Sequence, residues 1–329
     1  MLNPHLNLNT KIFDQDVEKK ATREGFGTGL ITLGDADPNI VVLSADLSES
    51  TRTDAFEKKY PERFFEMGVA EQNMATVAAG LGISGKTAFI SSYATFSPGR
   101  NWEQIRTTIV YNKSNVKIAG HHAGLMTGPD GATHQATEDI AMMRALPDIS
   151  VVVPCDNIEG EKATIAAGKT KEPVYLRFTR DKSPIITTNN TPFSMGKAQV
   201  FWTSTNPKVA IVGTGYMVYY CLLAAKELEK EGIESLVINN ATIKPLDEKL
   251  LLDVAQQCGA VVTVEDHQVT GGLGGALAEL FARELPTPVA FVGLQNTFGE
   301  SGKPEELLTK YHMDAPAIVE AAQKVIGRK

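Results

Sequence analysis

The sequence has no apolar run approaching the roughly 20 residues that cross a bilayer. Its first twenty residues, MLNPHLNLNTKIFDQDVEKK, hold no signal-like hydrophobic stretch. A membrane is therefore not an expected partner, and the cytoplasm is the expected compartment. Cysteine is scarce: Cys155, Cys221 and Cys258 are odd in number, far apart and without a CxxC pair. That excludes a disulfide framework, suggests no zinc site and fits a reducing compartment, with the three thiols as small core residues. Positive charge is not in excess. With 32 Lys and Arg against 39 Asp and Glu the net charge is −7, a poor match for nucleic acid or an anionic membrane. No tract is biased in composition. What remains is 329 residues, 43% hydrophobic and 22% charged, enough for two α/β domains with a core each.

Short β-branched runs alternate with amphipathic stretches, the pattern of βαβ units on a mostly parallel sheet. Strands are expected at 39–46, 63–68, 86–93, 116–122, 149–156 and 173–180, with helices near 71–84, 100–112, 137–146 and 157–169. From 181 to 207 the chain turns rich in Thr, Asn and Pro, as linkers and turns are. A second set follows, with strands at 209–215, 235–240, 260–266 and 288–294 and helices near 217–231, 247–257 and 274–284. The expected fold class is α/β, two doubly wound domains. The expected division is an arm or frayed tail at 1–15, a first domain at 16–185, a linker at 186–206 and a smaller second domain at 207–329.

Four stretches carry chemistry. FFEMGVAEQNM (64–74) reads strand, tight turn, helix start, and open α/β sheets place functional groups outside the carboxyl ends of their strands. Glu71 falls in the first helical turn, where a carboxylate also complements the helix dipole by about 0.3–1 kcal/mol. SYATFSPGRNW (92–102) ends a strand in Phe96 and a turn, with Trp102 beyond it. HHAGLMTGPDGATHQ (121–135) sets His121, His122, Asp130 and His134 on one Gly-rich loop, where a sugar could be hydrogen-bonded. Their spacing does not suit a compact metal site, and no metal ligand is assigned. Anion-binding candidates are Arg23, the run SADLSES (44–50) and Arg180 in FTR, because a phosphate wants convergent Arg, His and hydroxyl donors. In the second domain IVGTG (211–215) lacks a third glycine, and SLVINN ends without an acid, so NAD is not expected.

GVAEQNM followed by AAGLGISG resembles the signature of the pyrimidine-binding domain of transketolases and of 1-deoxyxylulose-5-phosphate synthases. The resemblance runs from about residue 20 to the end. It implies thiamine diphosphate as cofactor and two-carbon ketol transfer from a ketose phosphate to an aldose phosphate. Glu71 is then the acid that bonds a ring nitrogen of the aminopyrimidine and so activates the coenzyme. A carboxyl buried beside an apolar ring favours the neutral, donating form. Phe96 and Trp102 match aromatics that wall the pyrimidine, while a third family aromatic falls on Gly99. Asp46, in SADL, is assigned to the coenzyme. His122 matches a phosphate-binding histidine, Asp130 an aspartate that reads a substrate hydroxyl, and His134 a catalytic histidine near the ketose carbonyl. Gly128-Pro129-Asp130 stands for the family's Gly-Glu-Asp and keeps the acid. Arg23, Ser50 and Arg180 match phosphate ligands. The second domain matches the family's dimer-stabilising carboxy-terminal domain, with Glu265 and His267 as candidate neighbours of the site.

The family's diphosphate-binding domain carries Gly-Asp-Gly and, some thirty residues on, an Asn, whose oxygens hold Mg²⁺. Gly34-Asp35-Ala36 does not match it. The resemblance therefore implies a split enzyme: an amino-terminal partner chain would bind Mg²⁺ and the diphosphate, in an assembly with two copies of each chain. A 2-oxo-acid dehydrogenase β subunit would lack the His122–His134 constellation. A deoxyxylulose phosphate synthase fragment would carry an acid in place of His122. A non-catalytic partner subunit would not be expected to keep Glu71, Phe96, Asp130 and His134.

Overall fold

The computed structural model describes all 329 residues. The first unit runs β1 (Lys19–Lys20), α1 (Thr22–Ala36), β2 (Ile40–Ser44), α2 (Asp54–Lys59), β3 (Phe64–Glu66), α3 (Glu71–Ile83) and β4 (Thr87–Tyr93). It continues with α4 (Trp102–Gln104), which passes into a π-helical turn at Ile105–Val110, then β5 (Val116–His121), α5 (Asp139–Arg144), β6 (Ser150–Val152), α6 (Asn157–Gly168), β7 (Val174–Arg177) and β8 (Ser183–Pro184). The second unit holds β9 (Gln199–Trp202), β10 (Val209–Gly213), α7 (Met217–Lys230), β11 (Ser235–Asn239), β12 (Thr242–Lys244) and α8 (Glu248–Cys258). It ends with β13 (Val261–Gln268), α9 (Leu273–Glu284), β14 (Val289–Leu294), α10 (Pro304–Lys310) and α11 (Ala315–Ile326).

Seven strands form the first sheet in the order β12-β6-β7-β5-β4-β2-β3, parallel except for β12. Its central strands are buried on both faces, which is why β2, β5 and β7 read as near-continuous apolar runs. Along β2 the two faces alternate: Ile40 and Val42 pack with Phe26 and Leu30 of α1 and Ala163 and Ala167 of α6. Val41 and Leu43 pack instead with Met74, Ala75 and Ala78 of α3 and with Ile105 and Ile109. Three glycines in the first turns of α1 (Gly25, Gly27, Gly29) count against a helix by propensity. Packing against α6 overrides that, and the sequence pattern missed both α1 and α2.

The second sheet is β14-β13-β10-β11-β9, parallel except for β9. Helices α7 and α11 cover one face through Met217, Leu222, Ile318 and Val325. Helices α8 and α9 cover the other, and their Leu251, Val254, Leu277 and Phe281 share one core with Ile140, Met143 and Val151 of the first unit. Strand β12 crosses over and pairs with β6. The two units are thus joined by a continuous apolar core.

The stretch read as a linker holds more order than its composition suggests. Gln199–Trp202 is a strand of the second sheet. Asp156, the N-cap of α6, accepts bonds from the amides of Ile186 and Thr187 at 2.8 and 2.6 Å and from Thr187 Oγ1 at 2.9 Å. The first fifteen residues are a packed arm rather than a frayed tail. Asn3 N–H donates to the Phe201 carbonyl, and Ile12 is fully buried in the core beside α7. Leu8 and Ile12 bury there because the edge of the second sheet offers apolar surface that alternative solvent exposure would not cover. Helices α10 and α11 were also missed, although Pro304 and Asp314 mark their starts: the Asp314 carboxylate accepts the Ala317 amide at 3.2 Å. No helix is long and apolar enough to cross a membrane.

Candidate functional site

The carboxyl ends of β2, β4, β5 and β7 open onto one edge of the first sheet, and the loops leaving them carry most of the expected site residues. His122 follows β5 with a left-handed φ of 50° and is buried. Its Nε2 lies 2.8 Å from a terminal nitrogen of Arg23, which also donates to the Ser50 carbonyl at 2.6 Å. An arginine can only donate, so Nε2 accepts and the ring proton sits on Nδ1. Burial and the guanidinium groups of Arg23 and Arg180 push the imidazole's pKa down to about 2. His122 Nδ1 and Arg23 Nε are both buried without a protein partner. These are two unpartnered donors on side chains that touch each other, in a cluster whose positive charge Arg52 increases.

Arg180, in the loop that follows β7, donates to the Thr127 carbonyl at 3.2 Å, and its Nε stands 3.9 Å from the Asp130 carboxylate. His134 Nδ1 is bonded to Thr133 Oγ1 at 2.8 Å. Its ring meets Phe96 edge-on, with centroids 5.5 Å apart. Tyr93, which ends β4, stacks on Phe96 at 5.9 Å and lies 3.8 Å from the His122 ring centroid. The sequence reading did not single out Tyr93 or Arg52; an aromatic closing a buried strand beside a polar loop was the available signal for Tyr93.

Glu71 is the first residue of α3 and is 1% exposed. Its Oε2 accepts from Arg100 at 2.6 Å, and its backbone carbonyl accepts from Asn101 Nδ2 at 3.0 Å. The Arg100 guanidinium sits 4.7 Å from the centre of the Phe96 ring. Glu71, Phe96, His122, Asp130, His134, Arg180, Arg23 and Ser50 are therefore brought to one edge, Ser50 by its carbonyl rather than its hydroxyl. Trp102 and Asp46 are not joined to them. The Trp102 indole donates to the Met142 carbonyl at 3.2 Å and packs on the core. Asp46 is exposed with a φ of 60°, and its amide donates to Glu66 Oε1 at 2.7 Å.

Two glycines shape the site. A Cβ on Gly99 would run into the Thr95 carbonyl oxygen, so the tight turn after Phe96 admits no side chain there. Gly124 has a φ of 74°, and a Cβ on it would run into the Asp266 carboxylate. That carboxylate belongs to the second unit and accepts the Leu125 amide at 2.9 Å and the Met126 amide at 3.5 Å, which holds the His122–His134 loop in place. Beneath the loop, buried Arg177 makes paired bonds of 2.8 and 3.1 Å to Asp139 and donates to the Asp266 carbonyl at 2.9 Å. Burial works against the Asp139 carboxylate, but Arg177 outweighs it and holds its pKa below the usual range. Glu265 and His267 belong to this scaffold: Glu265 accepts the Leu273 and Gly274 amides that open α9, and His267 Nε2 accepts the Ala141 amide.

As a receptor for a flat aminopyrimidine the arrangement fits: a buried carboxylate and an aromatic face already share one planar group, Arg100. The orphan donors of Arg23 and His122 fit a tetrahedral anion. No group of three His, Cys, Asp or Glu side chains is placed to hold a metal ion.

The transketolase pyrimidine-binding domain family matches residues 18–185, and the transketolase C-terminal domain family matches residues 196–318. A Methanocaldococcus jannaschii protein, assigned provisionally as a transketolase C-terminal section, is 44% identical over 91% of this chain and 94% of its own. A 6-deoxy-6-sulfo-D-fructose transketolase subunit from a Clostridium species is 37% identical over 96% of this chain and 98% of its own. Human transketolase is 38% identical over 94% of this chain but only 50% of its own length, so the chain spans half of it. Among solved structures, a split-gene transketolase described as an inactive beta4 tetramer is 46% identical, with a TM-score of 0.87 over 93% of this chain and 98% of that one. Campylobacter jejuni transketolase, 23% identical, shares the fold at a TM-score of 0.80 over 95% of this chain and 50% of its own.

Proposed function

The chain belongs to the transketolase family, and from that premise we propose that it is the carboxy-terminal subunit of a split, thiamine-diphosphate-dependent transketolase. The observation that carries the reading is the meeting of Glu71 and Phe96 with the cations Arg23 and Arg180 and the neutral donor His122 on one sheet edge. Two relatives of this length and the half-length match to human transketolase support a separate amino-terminal partner chain, which would hold Mg²⁺ and the diphosphate. The related split-gene structure, a tetramer of one chain type described as inactive, supports the same need for a partner.

When bound, the coenzyme would supply the carbanion chemistry of two-carbon transfer, while the protein orients it and places protons. Glu71 lies at a helix start, out of water, and would hold the aminopyrimidine by a hydrogen bond to its ring nitrogen. Phe96 would offer its face to the ring. Arg23 and His122 donate their orphan N–H groups, and Arg180 its charge, to the terminal phosphate of the sugar. Because the His122 ring stays neutral with its proton on Nδ1, it acts as a fixed donor rather than a titrating one. Asp130 accepts a substrate hydroxyl, and His134 serves the carbonyl end. A sugar sulfonate, as acted on by the Clostridium relative, offers the same three acceptor oxygens and is a second substrate class for this pocket.

The test is reconstitution. The chain is mixed with an amino-terminal transketolase half, thiamine diphosphate and Mg²⁺, and transfer from a ketose phosphate to an aldose phosphate is measured. A well-assembled complex of two copies of each chain without transfer would refute the reading. Parallel runs with a sulfonated ketose separate the two substrate classes.

A further inference from the structure

We propose that Arg100 is a built-in stand-in for the coenzyme's aminopyrimidine, filling its stacking and hydrogen-bonding positions until the ligand displaces it. The inference rests on the coenzyme reading of Glu71 and Phe96 given above. Glu71 is 1% exposed, yet Arg100, whose side chain is 47% exposed, reaches it from the surface and donates at 2.6 Å. The same guanidinium lies over Phe96, 4.7 Å from the ring centre. A flat, delocalised group that stacks on an aromatic ring and hydrogen-bonds a buried carboxyl oxygen holds the positions an aminopyrimidine would take. The polarity differs, since Arg100 donates to the carboxylate whereas the pyrimidine ring nitrogen would accept from the protonated acid.

The other contacts of Phe96 are already taken, by Tyr93 stacked at 5.9 Å and by His134 at its edge, 5.5 Å away. A ligand that stacks on Phe96 and bonds Glu71 must therefore take the place of Arg100. Gly99 makes this the local solution, because the Thr95 carbonyl leaves no room for a side chain there, and the next residue is the one that lies over Phe96. Since Arg100 is half in solvent, its release is a side-chain rotation and needs no backbone movement. A partly exposed ion pair and a cation–π contact are each weak, so the barrier set on the ligand is modest: about a tenfold loss of affinity.

The experiment titrates the full chain with 4-amino-5-hydroxymethyl-2-methylpyrimidine, the pyrimidine half of the coenzyme, by calorimetry and NMR. Arg100→Ala should bind it about tenfold more tightly than the natural chain. Arg100→Lys, which keeps the charge and loses the plane, should fall between. Salt should raise the natural chain's affinity by screening the pair and leave that of Arg100→Ala nearly flat. Adding Glu71→Ala to Arg100→Ala should abolish the gain. Equal or weaker binding by Arg100→Ala, with its melting temperature unchanged, overturns the proposal. So does the absence of binding to both, because the pocket would then not be one that Arg100 fills. The readout is binding to this chain alone. Failure of ketol transfer in an assembled enzyme would leave the stand-in untouched, and unchanged probe affinity would remove it whatever the transfer assay gives.

Discussion

Glu71 and the paired histidines show how much one position depends on what surrounds it. A carboxylate at a helix start is ordinary on a surface; at 1% exposure, bonded to an arginine that also lies over Phe96, it is the group on which the proposed function turns. Glu71→Gln keeps the size and loses the acid. It should lower ketol transfer in the reconstituted complex by about 10²–10⁴-fold while light scattering shows the assembly intact. His121 presents the opposite case. It is fully buried between Phe26 and Phe178, with neither ring nitrogen bonded, and burial holds its pKa well below the ordinary value. Protonation therefore favours the unfolded chain: the full stability is present above about pH 6.5 and is lost as pH falls below it. His121→Phe should make the acid fall of stability shallower, by up to about 1.4 kcal/mol per pH unit for this one group. Buried Glu159, raised to about 7 by desolvation, acts in the other direction. The comparison is therefore read as the difference between the two chains in denaturant melts from pH 7 to 5.

Elements carry the site through their ends and the loops between them. The β4–α4 turn works only with glycine at 99, because its Cβ position belongs to the Thr95 carbonyl. Gly99→Ala should destabilise the chain by about 1–3 kcal/mol through strain and shift the Phe96 ring, seen as a lower melting temperature and altered aromatic NMR signals. The β5 loop is held from the second unit. Asp266→Ala removes the acceptor of the Leu125 and Met126 amides and should speed their hydrogen exchange while raising KM for the sugar phosphate. Unchanged exchange would show that the loop is held by other contacts. Much of this level was legible in the sequence. The strand-turn-helix around Glu71 and the Gly-rich loop after β5 appear where the alternation of apolar runs puts them. Helix α1 was not legible, since its glycines oppose helix formation until α6 packs on them. Nor was β12, three residues that a neighbouring sheet recruits across the chain.

At the scale of the whole molecule, the two units share a core and are joined where β12 pairs with β6, and the connecting stretch is pinned at Asp156, whose carboxylate accepts three bonds from Ile186 and Thr187. Asp156→Ala leaves those buried donors unmatched and should cost about 2–4 kcal/mol, read as a lower denaturation midpoint with the m-value unchanged. The second unit is therefore part of the site's frame, through Asp266 and the loop at 299–302, where Gln135 donates to the Glu300 carbonyl at 2.9 Å.

The order of residues along the chain determined the α/β class and the motifs that lead to the family, because hydrophobic period and turn chemistry are local properties. It also singled out Glu71, His122, Asp130, His134 and Arg180 as candidates, since each stands in a short run of neighbours. The tertiary structure decided the rest. It set Trp102 against the core and left Asp46 at the rim, brought Tyr93 onto His122, and laid Arg100 on Phe96 against Glu71. Those outcomes depend on which side chains share a cavity, and residues distant in sequence meet only once the sheets are packed.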